Sequence, residues 1–143
     1  MTGAGPIEDG ACFRMPVRVY YEDTDAGGVV YYANYLKYLE RARTEWLRAA
    51  GWGQTDLASD RGVLFAVRSI ELDYHAPALL DDALEVEARI AALGRARIDF
   101  AQRVLRDGEP LCSGRVRVAC LDAATFRPRA LPDDMKEVFA GGD

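Results

Sequence analysis

The segment Val19 to Tyr35, VYYEDTDAGGVVYYANY, carries two carboxylates, Asp23 and Asp25, on either side of Thr24 and just ahead of Gly27-Gly28 and an apolar aromatic run. Carboxylates so spaced can hold a cation, accept a phosphoryl group, serve as base or nucleophile, or bond the backbone of a polar turn. Taken alone the segment reads first as a turn, because Asp side chains accept hydrogen bonds from N–H groups two residues on. A calcium loop of the EF-hand kind needs oxygen ligands at its first, third and fifth places and Glu at its twelfth. Counted from Asp23, the fifth place is Gly27 and the twelfth Asn34, and no helix precedes the loop. Aspartyl phosphotransfer would put the pair at the end of a buried parallel strand in a doubly wound fold. Here the preceding strand alternates polar and apolar residues and the chain has no repeated strand-helix units. A further reading joins the loop to the helix downstream of it. Asp25 stands seven residues before Tyr32, where a helix begins. The free N–H groups of a helix start carry partial positive charge and could polarise a carbonyl oxygen. A carboxylate one loop away could then attack the carbonyl carbon or activate water beside it. Gly27 and Gly28 permit the sharp reversal this requires.

The elements that must position these groups are legible from periodicity. Phe13, Met15, Val17, Val19 and Tyr21 alternate with Arg14, Arg18, Tyr20 and Glu22, a half-buried strand running up to the Asp loop. From Tyr35 to Ala50 the period becomes helical. Tyr35, Leu39, Ala42 and Trp46 form a stripe widened by Leu36 and Leu47, Glu40 is spaced to pair with Arg43, and Gly51 marks the stop. Thr55 to Asp60 suits a short helical turn. Four strand-like runs come next: Val63 to Tyr74, whose apolar start suggests a central or well-covered strand; Leu84 to Ile90; Ala96 to Val104; and Val116 to Cys120. Asp107-Gly108 is a hairpin turn and Gly94 can make another. Strand, helix, then four strands in a meander predicts an α+β fold with an antiparallel sheet and one buried-face helix.

Composition narrows the function. The chain has 143 residues, half of them hydrophobic and 29% charged, with a formal net charge of -5. That suits one soluble globular domain and argues against binding along a nucleic-acid backbone. Cys12, Cys112 and Cys120 are scattered and His75 is the single histidine, so no zinc pattern forms and no metal is expected. Neither a secretory signal nor a transmembrane run is recognisable, and the expected location is cytoplasmic. Residues 1–12 read as a loose tail and 13–143 as one domain.

The stretch FRMPVRVYYEDTDAGGVVYYANYLKYLERARTEWLR closely resembles the start of the Tol–Pal-associated (YbgC-type) acyl-CoA thioesterases, in the 4-hydroxybenzoyl-CoA thioesterase branch of the hotdog superfamily. DYHAPALLDD and CLDAATFRPRALPDDM are similar to later parts of the same family. The resemblance spans Phe13 to Phe139. It implies a hotdog fold, an antiparallel five-stranded sheet wrapped around one long central helix. It also implies hydrolysis of an acyl-CoA thioester to a carboxylic acid and free coenzyme A, without a cofactor.

Carried over by position, Asp25 matches the catalytic carboxylate, as nucleophile or general base. Tyr32 falls where the family offers a helix N-terminal backbone N–H to the thioester oxygen; many YbgC-type members have His at this place. His75 sits where relatives often have Tyr, and a packing role is expected for it. The family dimerises by joining sheets edge to edge and often forms tetramers, so a homodimer or homotetramer is expected, with coenzyme A along the subunit interface. Arg95 and Arg97, on the outer face of the third strand-like run, are candidates for its phosphates. Two alternatives stay open. One is a binding module that holds acyl-CoA or acyl carrier protein without turnover. The other is a dehydratase, which the absence of a histidine near the helix start disfavours.

Overall fold

The period-two segments form five strands: β1 (Phe13–Arg18), β2 (Val63–Tyr74), β3 (Ala83–Gly94), β4 (Arg97–Arg106) and β5 (Glu109–Asp122). The helical segment forms α1 (Asn34–Ala49). A short α2 (Gln54–Asp56) continues as a wider turn through Leu57–Arg61, and α3 (Asp133–Gly141) closes the chain. This computed structural model describes residues 12–141, so the tail expected over residues 1–12 lies, apart from Cys12, outside the described residues.

All strand pairs are antiparallel and the sheet order is β1-β3-β4-β5-β2. Only β3, β4 and β5 form a meander, joined at Gly94 and at Asp107-Gly108, both of the latter at positive φ. The expected four-strand meander is corrected, because β2 pairs with β5 from Val63↔Asp122 to Tyr74↔Cys112 and does not touch β3. The α1 excursion carries the chain from one edge of the sheet to the other. β2 is therefore an edge strand and not a central one. Its apolar start is covered at Val63, beside the buried Leu57 of the α2 turn, while Val67 and Ile70 stay 46% and 40% exposed. β1 is also shorter than its alternation suggested. Its ladder ends at Arg18, and Tyr21 is exposed on a single helical turn, Tyr21–Asp23.

The core lies between α1 and the sheet. Tyr35, Tyr38, Leu39, Ala42, Trp46 and Leu47 face Val86, Ala88, Ile98, Phe100 and Val104 in one cluster. Trp46 meets Phe100 edge-on at 5.4 Å and stacks on Phe139 of α3 at 4.9 Å. The buried stripe is rotated from the expected one: Leu36 is exposed and Tyr38 is inside. Arg43 also turns inward, 8% exposed, and donates to Gln102 Oε1 at 2.9 Å. That replaces the expected Glu40–Arg43 ion pair; on this helix it is Glu45 that pairs with Arg48. Gln102 in turn donates to the Leu39 and Glu87 carbonyls, so α1 is pinned to β3 and β4 by a satisfied polar network.

On the outer face Glu87 is 1% exposed, clasped by Arg103 at 2.7 and 3.1 Å and by Arg14 at 2.9 Å. Burial alone would raise its pKa. The Arg103 hydrogen bonds and the charges of Arg103, Arg14 and Arg89 outweigh that and hold it below the ordinary glutamate value.

Candidate active site

The Asp loop is a tight hairpin. Tyr31 N–H donates to the Asp23 carbonyl at 3.0 Å, Thr24 bridges Val30, and Asp25 N–H donates to the Val29 carbonyl at 2.9 Å. Val30 is buried, Thr24 and Asp23 are half-buried, and Asp25 at the tip side of the hairpin is exposed. The reversal is closed by Gly28 N–H on the Asp25 carbonyl at 3.0 Å, with Gly28 at φ +81°, a backbone region glycine enters without steric cost.

Each carboxylate bonds locally, and in a different way. Asp23 Oδ2 accepts the Tyr20 N–H at 2.9 Å, behind the loop. Asp25 Oδ1 accepts the Gly27 N–H at 2.8 Å, and among the described residues its second oxygen accepts no hydrogen bond. Asp25 is exposed. The loop is anchored to the helix start, since Asn34 Nδ2 donates to the Asp23 carbonyl at 2.8 Å, and to residues 77–82, since Val30 N–H donates to Ala78 O at 2.8 Å.

The chain turns into α1 through Tyr31, Tyr32 and Ala33. Asn34, Tyr35 and Leu36 N–H groups bond back to the carbonyls of Tyr31, Tyr32 and Ala33. The Tyr32 N–H donates to no acceptor among the described residues, as expected of the orphan donors at a helix start. Its side chain is 61% exposed and the helix begins two residues later, at Asn34. Tyr32 and Asp25 thus stand at one end of the sheet, joined through the Asp23–Tyr31 pairing.

Around them sits an aromatic cluster that periodicity did not reveal as a group. Tyr31 and Tyr32 rings lie 4.8 Å apart, Tyr74 meets Tyr32 at 6.3 Å and Tyr35 at 5.4 Å, and Tyr35 meets Tyr38 at 6.2 Å. Tyr35 Oη accepts the Ala78 N–H at 3.0 Å. Burial, then the Asp23 carboxylate beside it, pushes the Tyr38 hydroxyl well above the usual tyrosine pKa. Below, Arg106 bonds Asp82 at 2.7 Å and the Pro77 carbonyl at 3.1 Å and fixes the loop on which Ala78 sits. Tyr74 and Arg106 belong to β2 and β4, far from the Asp loop in sequence, and no local spacing marks them.

Arg95 and Arg97 are not brought to this place within one chain. The Asp loop packs on residues 77–82, at the entry to β3, while Arg95 lies in the turn after Gly94 at its far end. Twelve strand residues separate the two ends, about 36 Å at 3.3 Å per residue. Arg97 begins β4 and its Nε lies 3.4 Å from Asp99. His75, for which a packing role is expected, is exposed, with Nε2 2.8 Å from Ser113 Oγ. At the end of β2 the exposed Tyr74 pairs with buried Cys112, and His75, the next residue, falls on the opposite face.

Beside the middle of α1 a cavity of about 160 Å³ opens among Arg43, Leu47, Phe65, Val67 and Phe100. Among the described residues no three His, Cys, Asp or Glu side chains converge on a point that could hold a metal, and no helix is long and apolar enough to cross a membrane.

With this geometry in view, the relationship to known proteins is direct. The profile of the thioesterase-like superfamily matches residues 19–139. The acyl-CoA thioesterase YbgC of Haemophilus influenzae is 46% identical over 127 residues, covering 89% of this chain and 93% of that one. The acyl-CoA thioester hydrolase YbgC of Escherichia coli O6:H1 is 46% identical over 128 residues, with 89% and 95% covered. Among solved structures, a probable thioesterase from Bartonella henselae superposes with a TM-score of 0.82 at 38% identity, covering 85% of this chain and all of that one. The chain belongs to the thioesterase-like superfamily, and its sheet and helix are the hotdog arrangement. Within that superfamily it groups with the YbgC acyl-CoA thioesterases and is a thioester hydrolase.

Proposed function

We propose that the enzyme hydrolyses acyl-CoA, with Asp25 as the reacting carboxylate and the Tyr32 backbone N–H as the donor to the thioester oxygen. In the reaction water adds across the thioester: the carbonyl carbon gains oxygen, the carbon–sulfur bond breaks, and coenzyme A leaves as the thiol. Asp25 carries this in one of two ways. Its free oxygen attacks the carbonyl carbon to give a mixed anhydride that water then opens, or it takes a proton from the attacking water. In both, negative charge grows on the thioester oxygen, and the orphan N–H with the start of α1 behind it stabilises that charge.

The observation that carries the reading is the pairing of Asp23 with Tyr31. It sets a carboxylate with one free oxygen next to a helix start with an unused N–H. The side chain of Tyr32 takes no part in this scheme, so tyrosine where many relatives have histidine leaves the chemistry intact.

In our reading the subunits join edge to edge, as a homodimer or homotetramer, through an edge such as β2, whose Val67 and Ile70 are open. Arg95 and Arg97 then serve coenzyme A phosphates held by a neighbouring subunit, since within one chain the length of β3 separates them from the Asp loop. The setting is the cytoplasm. Thiol release from acyl-CoA, followed with a chromogenic disulfide, tests the proposal. Release by the wild type that Asp25→Asn abolishes supports it, and acyl-CoA binding without release would make the protein a carrier of acyl-CoA or acyl carrier protein instead.

A further inference from the structure

β2 brings Tyr74 to the start of α1 from the opposite edge of the sheet. Its Oη donates to the Tyr32 carbonyl oxygen at 3.3 Å, and its ring meets those of Tyr32 and Tyr35 edge-on. The same oxygen also accepts the Tyr35 N–H, again at 3.3 Å. The Tyr32 carbonyl is thus shared between two long hydrogen bonds, one from the helix and one from a strand. Because the peptide unit is planar, a hold on the Tyr32 oxygen fixes the Tyr32–Ala33 plane, which meets the Tyr31–Tyr32 plane carrying the Tyr32 N–H at the Tyr32 Cα. Tyr35, the ring behind Tyr74, is itself anchored through its hydroxyl to Ala78 N–H. The turn therefore rests on a strand residue whose own support is buried.

We propose that Tyr74 is a positioning residue for the thioester-oxygen donor: its hydroxyl, held on the Tyr32 carbonyl, keeps the Tyr32–Ala33 turn in the orientation that aims the Tyr32 N–H at the substrate. The inference rests on the role assigned above to Tyr32. Burial raises the Tyr74 pKa, with smaller contributions from Cys112 and the neighbouring tyrosines, so the hydroxyl keeps its proton and remains a donor through the neutral range. The bond is made in the free enzyme and does not involve the substrate's coenzyme A, so its loss affects turnover more than binding.

The test is Tyr74→Phe, which removes the oxygen and keeps the ring. The expected result is a kcat lower by about fivefold, the worth of one neutral hydrogen bond, with KM within about twofold and the melting temperature unchanged. Placing 4-aminophenylalanine at position 74 restores a donor and should restore kcat. Wild-type kcat in Tyr74→Phe would overturn the inference. So would equal losses in the Phe and aminophenylalanine enzymes accompanied by a lower melting temperature, which would mean packing alone. A wild type that releases no thiol would overturn the role of Tyr32 as well, whereas an enzyme that needs Asp25 but ignores Tyr74→Phe would overturn only this inference.

Discussion

Asn34 Nδ2 reaches back eleven residues to the Asp23 carbonyl at 2.8 Å, the same oxygen that accepts the Tyr31 N–H. One carbonyl thereby ties the loop that carries Asp25 to the first residue of α1. This link adds to the hairpin's own backbone bonds in holding the loop against the helix start. Replacing Asn34 by Ala leaves Tyr31 as the sole donor and frees the loop to drift. The expected result is a kcat about tenfold lower, equivalent to one well-formed hydrogen bond, with little change in KM for acyl-CoA. Steady-state thiol release on the purified variant measures both.

The thiols give a prediction about reactivity. Burial, helped by Asp73, pushes Cys112 up to about 11, and burial pushes Cys120 up to about 11 as well. Thiolate is the reactive form, so both should resist a maleimide or a chromogenic disulfide at pH 7–8 in the native protein. Full labelling should appear only on unfolding. Rapid native labelling of either one, read by mass spectrometry of the peptides, would contradict the packing described here.

Glu87 gives a prediction about pH. Its folded-state pKa lies below the ordinary value of 4.5, so it contributes stability above that pH which is lost as acidification passes through the folded-state value. Glu87→Gln should be less stable than the wild type at pH 7, because Arg103 and Arg14 lose their partner. It should also lose less stability between about pH 5 and pH 3. Urea melts across this range decide the point, and parallel slopes for the two proteins would contradict it.

Arg95 and Arg97 bear on binding rather than chemistry in the proposed scheme. Arg95→Ala with Arg97→Ala should raise KM for acyl-CoA several-fold and leave kcat nearly unchanged, with the effect weakened by salt. The same pair of substitutions should leave hydrolysis of a short acyl thioester lacking the nucleotide unaffected. An equal KM increase with that truncated substrate would remove them from the phosphate role.

How much of this could be read from the residues varies with the range of the interactions. The strands and α1 are local, and alternation at Phe13–Val17 or the Tyr35–Trp46 stripe reports them directly. The hairpin pairing of the Asp loop is local too, and Gly27-Gly28 announces it. Strand order is not local. Nothing in Val63–Tyr74 states that its partner is β5, and its apolar start, covered only at Val63, imitates a central strand. Glu40 and Arg43 are correctly spaced to pair, yet Arg43 is drawn inward by Gln102 of β4, a partner 59 residues away. Tyr74 and Arg106 reach the site in the same way, through strand pairing, so no motif on either one marks it.

The carboxylate of Asp25 is the centre of the proposed chemistry, and its replacement is the most direct test. Asp25→Asn keeps an oxygen that can accept the Gly27 N–H and so should preserve the loop and the melting temperature. The predicted result is loss of thiol release from acyl-CoA by at least about a hundredfold, the usual scale for removing a reacting group, with acyl-CoA still bound. A folded Asp25→Asn enzyme with near wild-type turnover would contradict the role assigned to this carboxylate.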